Sequence, residues 1–242
     1  MSDELLVERL GTVPYLEAWE LQRELAQRRR RDEIPDVLLL LEHPPTYTRG
    51  RRSQPEELPM GVEWYEAQGI EVHDTDRGGL VTYHGPGQLV AYPIVHLGGY
   101  GDDVHAYVRG LEQVMIGALA EAGVPAKTIE GLTGVWTVGE PPPTLSPNPA
   151  RKIGSIGLHV SHGVTTHGLA VNVDNDLQPF EWIVPCGIEG VGMTSVAREL
   201  RGGQTVETFS DLLVAHYAST FKRKPRDSDA VPGLVASSRR ER

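Results

Sequence analysis

The chain has 242 residues, 39% of them apolar and 23% charged, enough to bury a substantial core in one domain or two small ones. A formal charge of −10 argues against a general nucleic-acid binder, whose phosphate contacts need clustered cations. A single cysteine, Cys186, excludes an intrachain disulfide and any cysteine-cluster zinc or iron–sulfur centre, and suits a reducing compartment.

The N-terminal MSDELLVERLG lacks the basic start and apolar run of a signal peptide. The longest apolar run, VLLLL at 37–41, is too short to span a membrane, so a cytoplasmic protein without a membrane partner is expected. VPYLEAWELQRELAQRRR predicts an amphipathic helix from about Tyr15 to Arg30, with Leu16, Trp19 or Glu20, Arg23 and Gln27 at helical spacing. DVLLLLEHPPTYTRG reads as a buried strand stopped by Pro44 and Pro45. GIEVHDTDRGGLVTYHGPGQLVAYPIVHL gives two or three strands punctuated by glycine.

DVHAYVRGLEQVMIGALAEAGV is a second helix, with Asp102 or Asp103 as N-cap and Gly123 as its stop. LTGVWTVGE is a strand, and PPPTLSPNPA at 141–150 an exposed irregular loop. RKIGSIGLHV and THGLAVNVD form a hairpin joined through SHGVT. VETFSDLLVAHYASTF is a closing helix, and from Lys222 onward the composition suggests a poorly ordered tail. No repeat of 20–50 residues is visible. Strands and helices mix without regular alternation, which favours α+β: a mixed or antiparallel sheet with helices packed against it.

Cations cluster at Arg28 to Arg31, at Arg49, Arg51 and Arg52, and in the last twenty residues. Such runs are either solvated ends and loops or a local dock for an acidic partner.

The densest unusual stretch is RGGLVTYHGPGQLVAYPI at 77–94. Glycine inside a strand costs about 0.5–1 kcal/mol relative to alanine. It is tolerated where a turn needs positive φ or where something approaches the backbone closely. Tight turns explain the stretch, and so does a groove for an extended ligand, in which Tyr83 and His84 would form a polar, partly aromatic rim. A phosphate loop does not, since neither GxxxxGK[ST] nor GxGxxG is present. In KIGSIGLHVSHGVTTHGLAVNV, Gly154, Gly157, Gly168 and Ala170 leave little side-chain volume on the sheet. That makes room for a narrow apolar chain such as a fatty acyl group, or simply allows close packing.

His159, His162 and His167 invite a metal reading, but they offer one short spacing and no carboxylate before Asp174, so no metal is expected. Cys186 lies in a Pro–Cys–Gly turn followed by GIEG, and is either a small buried hydrophobe or a nucleophile. As a nucleophile its thiol, with an ordinary pKa of about 8.5, needs a base or a cation. His84, His167 and Lys152 are the candidates.

HPPTYTRG at 43–50, DRGGLVTYHGPGQLVAYPI at 76–94, KIGSIGLHV at 152–160, THGLAVNV at 166–173 and IVPCGIEGVGMTSV at 183–196 occur in this order and together resemble the lipoyl(octanoyl) transferase family. The resemblance runs from Glu42 to Val196. It implies a biotin/lipoate protein ligase-like α+β catalytic domain, a mixed β-sheet flanked by helices, over 1–221, with 222–242 as the tail. It implies an acyltransferase that moves octanoyl from octanoyl-acyl carrier protein to a lysine of lipoyl domains, the first step of endogenous protein lipoylation. The implied acceptors are the lipoyl domains of 2-oxoacid dehydrogenase complexes and the glycine cleavage H protein. Cys186 matches the acyl-thioester nucleophile, and Lys152 the lysine that lowers the thiol's pKa.

Arg77, Gly78, Gly79, Leu80, Val81, Thr82, Tyr83 and His84 match substrate-contacting positions. So do Ser155, Ile156 and Gly157, and then Gly168, Leu169 and Ala170. No cofactor is implied. Two features depart from the family pattern: a longer loop before Lys152, and the tail beyond Lys222. Three alternatives make different demands. An ATP-dependent lipoate ligase would respond to ATP and need no cysteine. A cysteine hydrolase would discharge its acyl group to water. A carrier-protein or lipoyl-domain binding module would leave Cys186 unacylated.

Overall fold

The computed structural model describes residues 2–140, 149–183 and 192–227. Among these, the strands are β1 (Glu4–Thr12), β2 (Asp36–Glu42), β3 (Thr46–Arg49), β4 (Glu71–Asp74), β5 (Thr82–His84), β6 (Gln88–Ile94), β7 (Ala126–Ile129), β8 (Leu132–Thr137), β9 (Lys152–Ser161), β10 (Val164–Asn172) and β11 (Lys224–Asp227). The helices are α1 (Tyr15–Arg30), α2 (Val62–Ala67), α3 (Val104–Glu121), α4 (Gln178–Glu181), α5 (Val196–Leu200) and α6 (Val206–Phe221).

The main sheet has the order β11-β1-β2-β6-β10-β9-β8-β7 and a smaller one the order β4-β3-β5. Pairing is parallel from β11 through β1 to β2 and antiparallel from β2 onward, so the sheet is mixed. Central β2 is apolar from Val37 to Leu41 because both its faces are covered. One face packs against α3 and α6, where Leu111, Val114, Leu213 and Tyr217 meet Leu38, Leu89, Val135 and Val171. The other packs Leu39, Leu41, Val90 and Ile94 against Ala18, Leu25 and Ala26 of α1.

The helix α1 occupies the expected span, but its buried face differs from the expected one. Leu16 is 48% exposed, and the inward stripe is Tyr15, Ala18, Gln22, Leu25, Ala26 and Arg29. Two polar residues on that stripe hid it from a hydrophobicity pattern, and each finds a polar partner inside. Gln22 Oε1 accepts the His167 N–H, and Arg29 pairs with buried Asp36 at 2.8 Å. The Arg28–Arg31 run is therefore not simply a solvated helix end.

The α3 N-cap is Asp103, whose carboxylate accepts the His105 and Ala106 N–H groups. A left-handed Gly123 follows the helix end. After Pro44 and Pro45, which stop β2 as expected, the chain makes a new strand, β3. Part of the segment expected to be a poorly ordered tail is ordered. Lys224–Asp227 adds an edge strand to β1, fixed by backbone pairing and by ion pairs of Lys224 with Asp3, Arg226 with Glu4 and Arg9 with Asp227. Residues 228–242 lie outside the described residues. Among the described residues no helix is long and apolar enough to cross a membrane.

Candidate active site

The site is a cavity of about 590 Å³, inside the range of roughly 300–1,000 Å³ usual for ligand sites. Its floor is the β9–β10 hairpin. Register places Ser155 opposite Ala170 and Gly157 opposite Gly168, so two small pairs share one face. One wall is the 77–82 segment, closed below by His84, Tyr15 and Tyr92. The opposite rim holds Val104, His105 and Val108 of α3 and the β7–β8 turn at Gly131–Thr133. Lys152 and Arg52 complete the lining.

The wall segment is pinned at several points. The Gly78 N–H donates to the Leu158 carbonyl at 2.8 Å, tying the segment to β9. The Arg51 and Arg52 N–H groups donate to the Arg77 and Gly79 carbonyls. Buried Arg77 donates to the Thr48 carbonyl and hydroxyl and to the Gly78 carbonyl, so its guanidinium builds the wall. The glycines answer to this closeness. Gly79 has φ of +93°, and a Cβ on Gly157 would lie 2.9 Å from the Gly78 carbonyl.

Of the residues expected to contact substrate, all but Tyr83 line this one cavity. Alternation along β5 sends Thr82 and His84 to the cavity face and Tyr83 to the other. Tyr83 is no rim residue. It packs between Tyr47 and Phe180, 5.5 Å from each ring centre, in the core of the small sheet. His84 sits in the cavity wall rather than at its rim, 7% exposed and stacked 6.2 Å from Tyr15.

Lys152 is 4% exposed at the start of β9, with its Nζ 5.5 Å from the Trp136 ring centre. Its N–H donates to the Gly192 carbonyl at 2.9 Å, and its carbonyl accepts the Thr194 N–H at 3.0 Å. The chain therefore re-enters the described structure beside Lys152. Cys186 lies outside the described residues, and so does 141–148 of the proline-rich loop.

Four groups in or behind the cavity lining escaped sequence reading: Tyr15 and Tyr92, which line it, and His43 and Asp76, which bond lining residues. Asp76 and Tyr92 lie within the 76–94 stretch and His43 opens the 43–50 stretch, but only the fold brings them together with Tyr15 of α1. His167 Nε2 bonds Asp76 Oδ1 at 2.7 Å, and its Nδ1 lies 3.4 Å from the Tyr15 hydroxyl. His167 holds a left-handed backbone, φ +56°, inside β10. Of the other histidines of the metal reading, His162 is in the hairpin turn, and His159 approaches the same carboxylate, 3.8 Å from Asp76. Among the described residues no three potential ligands are gathered as a metal site.

His43 Nδ1 bonds the Val13 carbonyl and Nε2 the Tyr92 hydroxyl, and burial pushes its pKa down to about 4. Burial also lifts the Tyr15 phenol to about 12 and lowers His167. Asp76 is held below the usual carboxylate range by its hydrogen bond from His167. The cavity thus presents neutral, hydrogen-bonding aromatic groups along a narrow apolar floor.

Residues 14–218 match the lipoyl protein ligase A/B catalytic domain. An octanoyltransferase of Chloroflexus aggregans (strain MD-66 / DSM 9485) is 48% identical over 222 residues, covering 91% of this chain and 96% of its own. This chain belongs to the lipoyl protein ligase A/B catalytic-domain family. Its backbone is similar to that of a bi-partite lipoate protein ligase from Thermoplasma acidophilum (TM-score 0.71, 18% identity, covering 98% of this chain and 90% of that one). It is also similar to the biotin protein ligase from Aquifex aeolicus solved with biotin and ATP (TM-score 0.50, 12% identity, covering 90% and 70%). The expected biotin/lipoate ligase-like fold is the one observed. Within the lipoyl ligase A/B family, this chain's close likeness to octanoyltransferases makes it an acyltransferase of protein lipoylation.

Proposed function

We propose that this acyltransferase moves octanoyl from the thioester of an acyl carrier protein to a lysine of a lipoyl domain, through an acyl-thioester on Cys186. The observation that carries the reading is a side-chain-poor cavity with buried Lys152 on its lining, beside the point where the Cys186 segment rejoins the sheet. The narrow floor suits an alkyl chain, each buried methylene of which contributes about 0.8 kcal/mol. The donor class follows from the chemistry. A thioester is already activated, and the sequence has no phosphate-cradling loop.

In the first half-reaction Lys152 receives the thiol proton and the Cys186 thiolate attacks the carrier thioester. One C–S bond forms and another breaks, so the exchange is close to balanced and the intermediate can discharge in either direction. In the second half the acceptor lysine attacks. A solvated lysine has a pKa near about 10.4, leaving roughly one in 10³–10⁴ neutral at pH 7, a deficit of about 4–5 kcal/mol. A base in the site must therefore take a proton. The acceptor class is supported by the similar Thermoplasma acidophilum ligase, which is described with its E2 lipoyl domain. The lipoyl domains of 2-oxoacid dehydrogenase complexes and the glycine cleavage H protein are the acceptors we propose. A cytoplasmic setting would keep the thiol reduced.

Intact-protein mass spectrometry tests the reading. Octanoyl carrier protein should leave a single octanoyl adduct on the wild type, with no ATP present. Adding a lipoyl domain should remove the adduct, and Cys186→Ser should form none. Lys152→Ala should lower the overall rate by about 10³-fold or more, as loss of a catalytic dyad member does. Transfer without any adduct, or a near wild-type rate in Lys152→Ala, would overturn the Cys186–Lys152 mechanism.

A further inference from the structure

Three histidines line the cavity, and they differ in what their ring nitrogens do. His105 is exposed on the first turn of α3. His167 has one ring nitrogen on Asp76 and the other facing the Tyr15 hydroxyl. His84 is buried, with Nδ1 at 2.7 Å from Gln88 Oε1.

The direction of that last bond is forced by its neighbours. Gln88 Nε2 donates to the Tyr83 carbonyl at 3.1 Å and to Asn172 Oδ1 at 2.9 Å. Asn172 Nδ2 donates to the Thr194 carbonyl at 3.0 Å. A carbonyl only accepts, so each amide has one orientation, and His84 must carry its proton on Nδ1. Nε2 then keeps its lone pair and, among the described residues, makes no hydrogen bond. Burial holds this imidazole well below its ordinary range, which keeps it neutral. The chain of bonds continues to the Lys152 strand, because the Thr194 N–H donates to the Lys152 carbonyl. Gln88, Asn172 and Thr194 are all buried. One oriented run thus fixes the His84 ring relative to the backbone of Lys152.

We propose that His84 Nε2 takes the proton of the acceptor lysine during octanoyl transfer, with Gln88 and Asn172 as positioning residues. This rests on the acyl-enzyme reading above and divides its labour: Lys152 serves the thiol, His84 the amine. The amine nitrogen bonds to the acyl carbon, and the ammonium proton so formed passes to His84 Nε2. The carbon–sulfur bond breaks and its electron pair leaves on the Cys186 sulfur. His84 then returns its proton to that sulfur. A base oriented in this way acts without reorganisation at the moment of transfer.

Single-turnover kinetics on isolated octanoyl-enzyme test the assignment. His84→Asn keeps a donor at the Nδ1 position and loses the base. Gln88→Met keeps the imidazole and loses its orienting acceptor. In His84→Asn the ratio of deacylation to acylation rate should fall at least about 100-fold, the low end for loss of a general base. Discharge by a small thiolate, which brings no proton to remove, should be spared relative to the lipoyl domain. Gln88→Met should show the same selective loss, smaller in size. Equal loss in both half-reactions, or equal loss with both nucleophiles, would assign His84 a structural role and overturn the proposal. If wild type formed no acyl-enzyme, the parent reading and this one would fall together. A wild-type acyl-enzyme with unselective variants would remove His84 alone.

Discussion

The two sides of the main sheet hold together by opposite means. Toward α3 and α6, Leu89, Val135, Ile153 and Val171 interlock with Leu111, Val114 and Leu213. Toward the cavity, β9 and β10 present Ser155, Gly157, Gly168 and Ala170, and the shape of the space is set by backbone. Bulk determines the first side and its absence determines the second. Adding a methyl group and removing one should therefore have opposite signatures on the two sides.

The largest contrast pairs Gly157→Ala with Leu213→Ala. The added Cβ would sit 2.9 Å from the Gly78 carbonyl and 3.2 Å from Arg77 Cδ, so the wall segment must move. Displacement of about 1 Å at a positioning element can cost about 10²-fold. We expect kcat/KM to fall on that scale while the unfolding midpoint moves little. Leu213 is buried in the opposite core, away from the cavity. Its truncation should lower the unfolding free energy by about 2–5 kcal/mol and leave kcat/KM of the folded enzyme near wild type. Denaturant titration and steady-state kinetics on both variants check the pair. A Gly157→Ala enzyme of full activity would mean that the wall is not rigid.

The same comparison predicts where acid sensitivity originates. His43 is fully buried on the α1 side, and burial takes its pKa down to about 4. An unfolded histidine titrates near about 6.5. Between these values the unfolded chain binds the extra proton, so stability is present above pH 6.5 and lost as pH falls toward 4. The loss from this one residue reaches about 2 kcal/mol at pH 5 and up to about 3 kcal/mol at pH 4. In His43→Gln the stability difference between pH 7 and pH 5 should shrink by about 2 kcal/mol. An unchanged difference would place the sensitivity in other groups.

Legibility in the sequence followed the same divide. Where local pattern decides, reading succeeded: α1 and α6 have their expected bounds, Asp103 caps α3, and the β9–β10 hairpin turns at its SHGVT segment. Where partners are distant, it failed. The strand β1 is held between β2 and a β11 more than two hundred residues away, and β11 itself is Lys-Pro-Arg-Asp, with no apolar signal at all. The glycine-rich stretches lie on the cavity floor and wall, because glycine records a backbone requirement. They could not assign faces, which is how Tyr83 was misplaced. They also gave no role to Tyr15 and Tyr92, which line the cavity, or to Asp76, which reaches it through its hydrogen bond with His167.

The smallest expected effect concerns the cavity's approach rather than its interior. The chain's net charge is −10, so the proposed carrier protein, if acidic, would meet overall repulsion. Arg29 is buried against Asp36, and Arg49 pairs with Asp74 at 2.7 Å, so neither offers a full charge to a partner. Arg51 and Arg52 are exposed, and their backbones staple the cavity wall. Arg52 also lines the opening. Reversing both, Arg51→Glu with Arg52→Glu, should raise KM for the carrier protein severalfold at low salt and change kcat little, because exposed charges act on encounter. The effect should fade as salt shortens the Debye length from about 10 Å at 0.1 M to about 3 Å at 1 M. Arg49→Glu alone should do less, since its charge is already offset by Asp74. A KM that ignores both charge reversal and salt would mean that the carrier protein docks elsewhere, and that these arginines serve the wall only through their backbone.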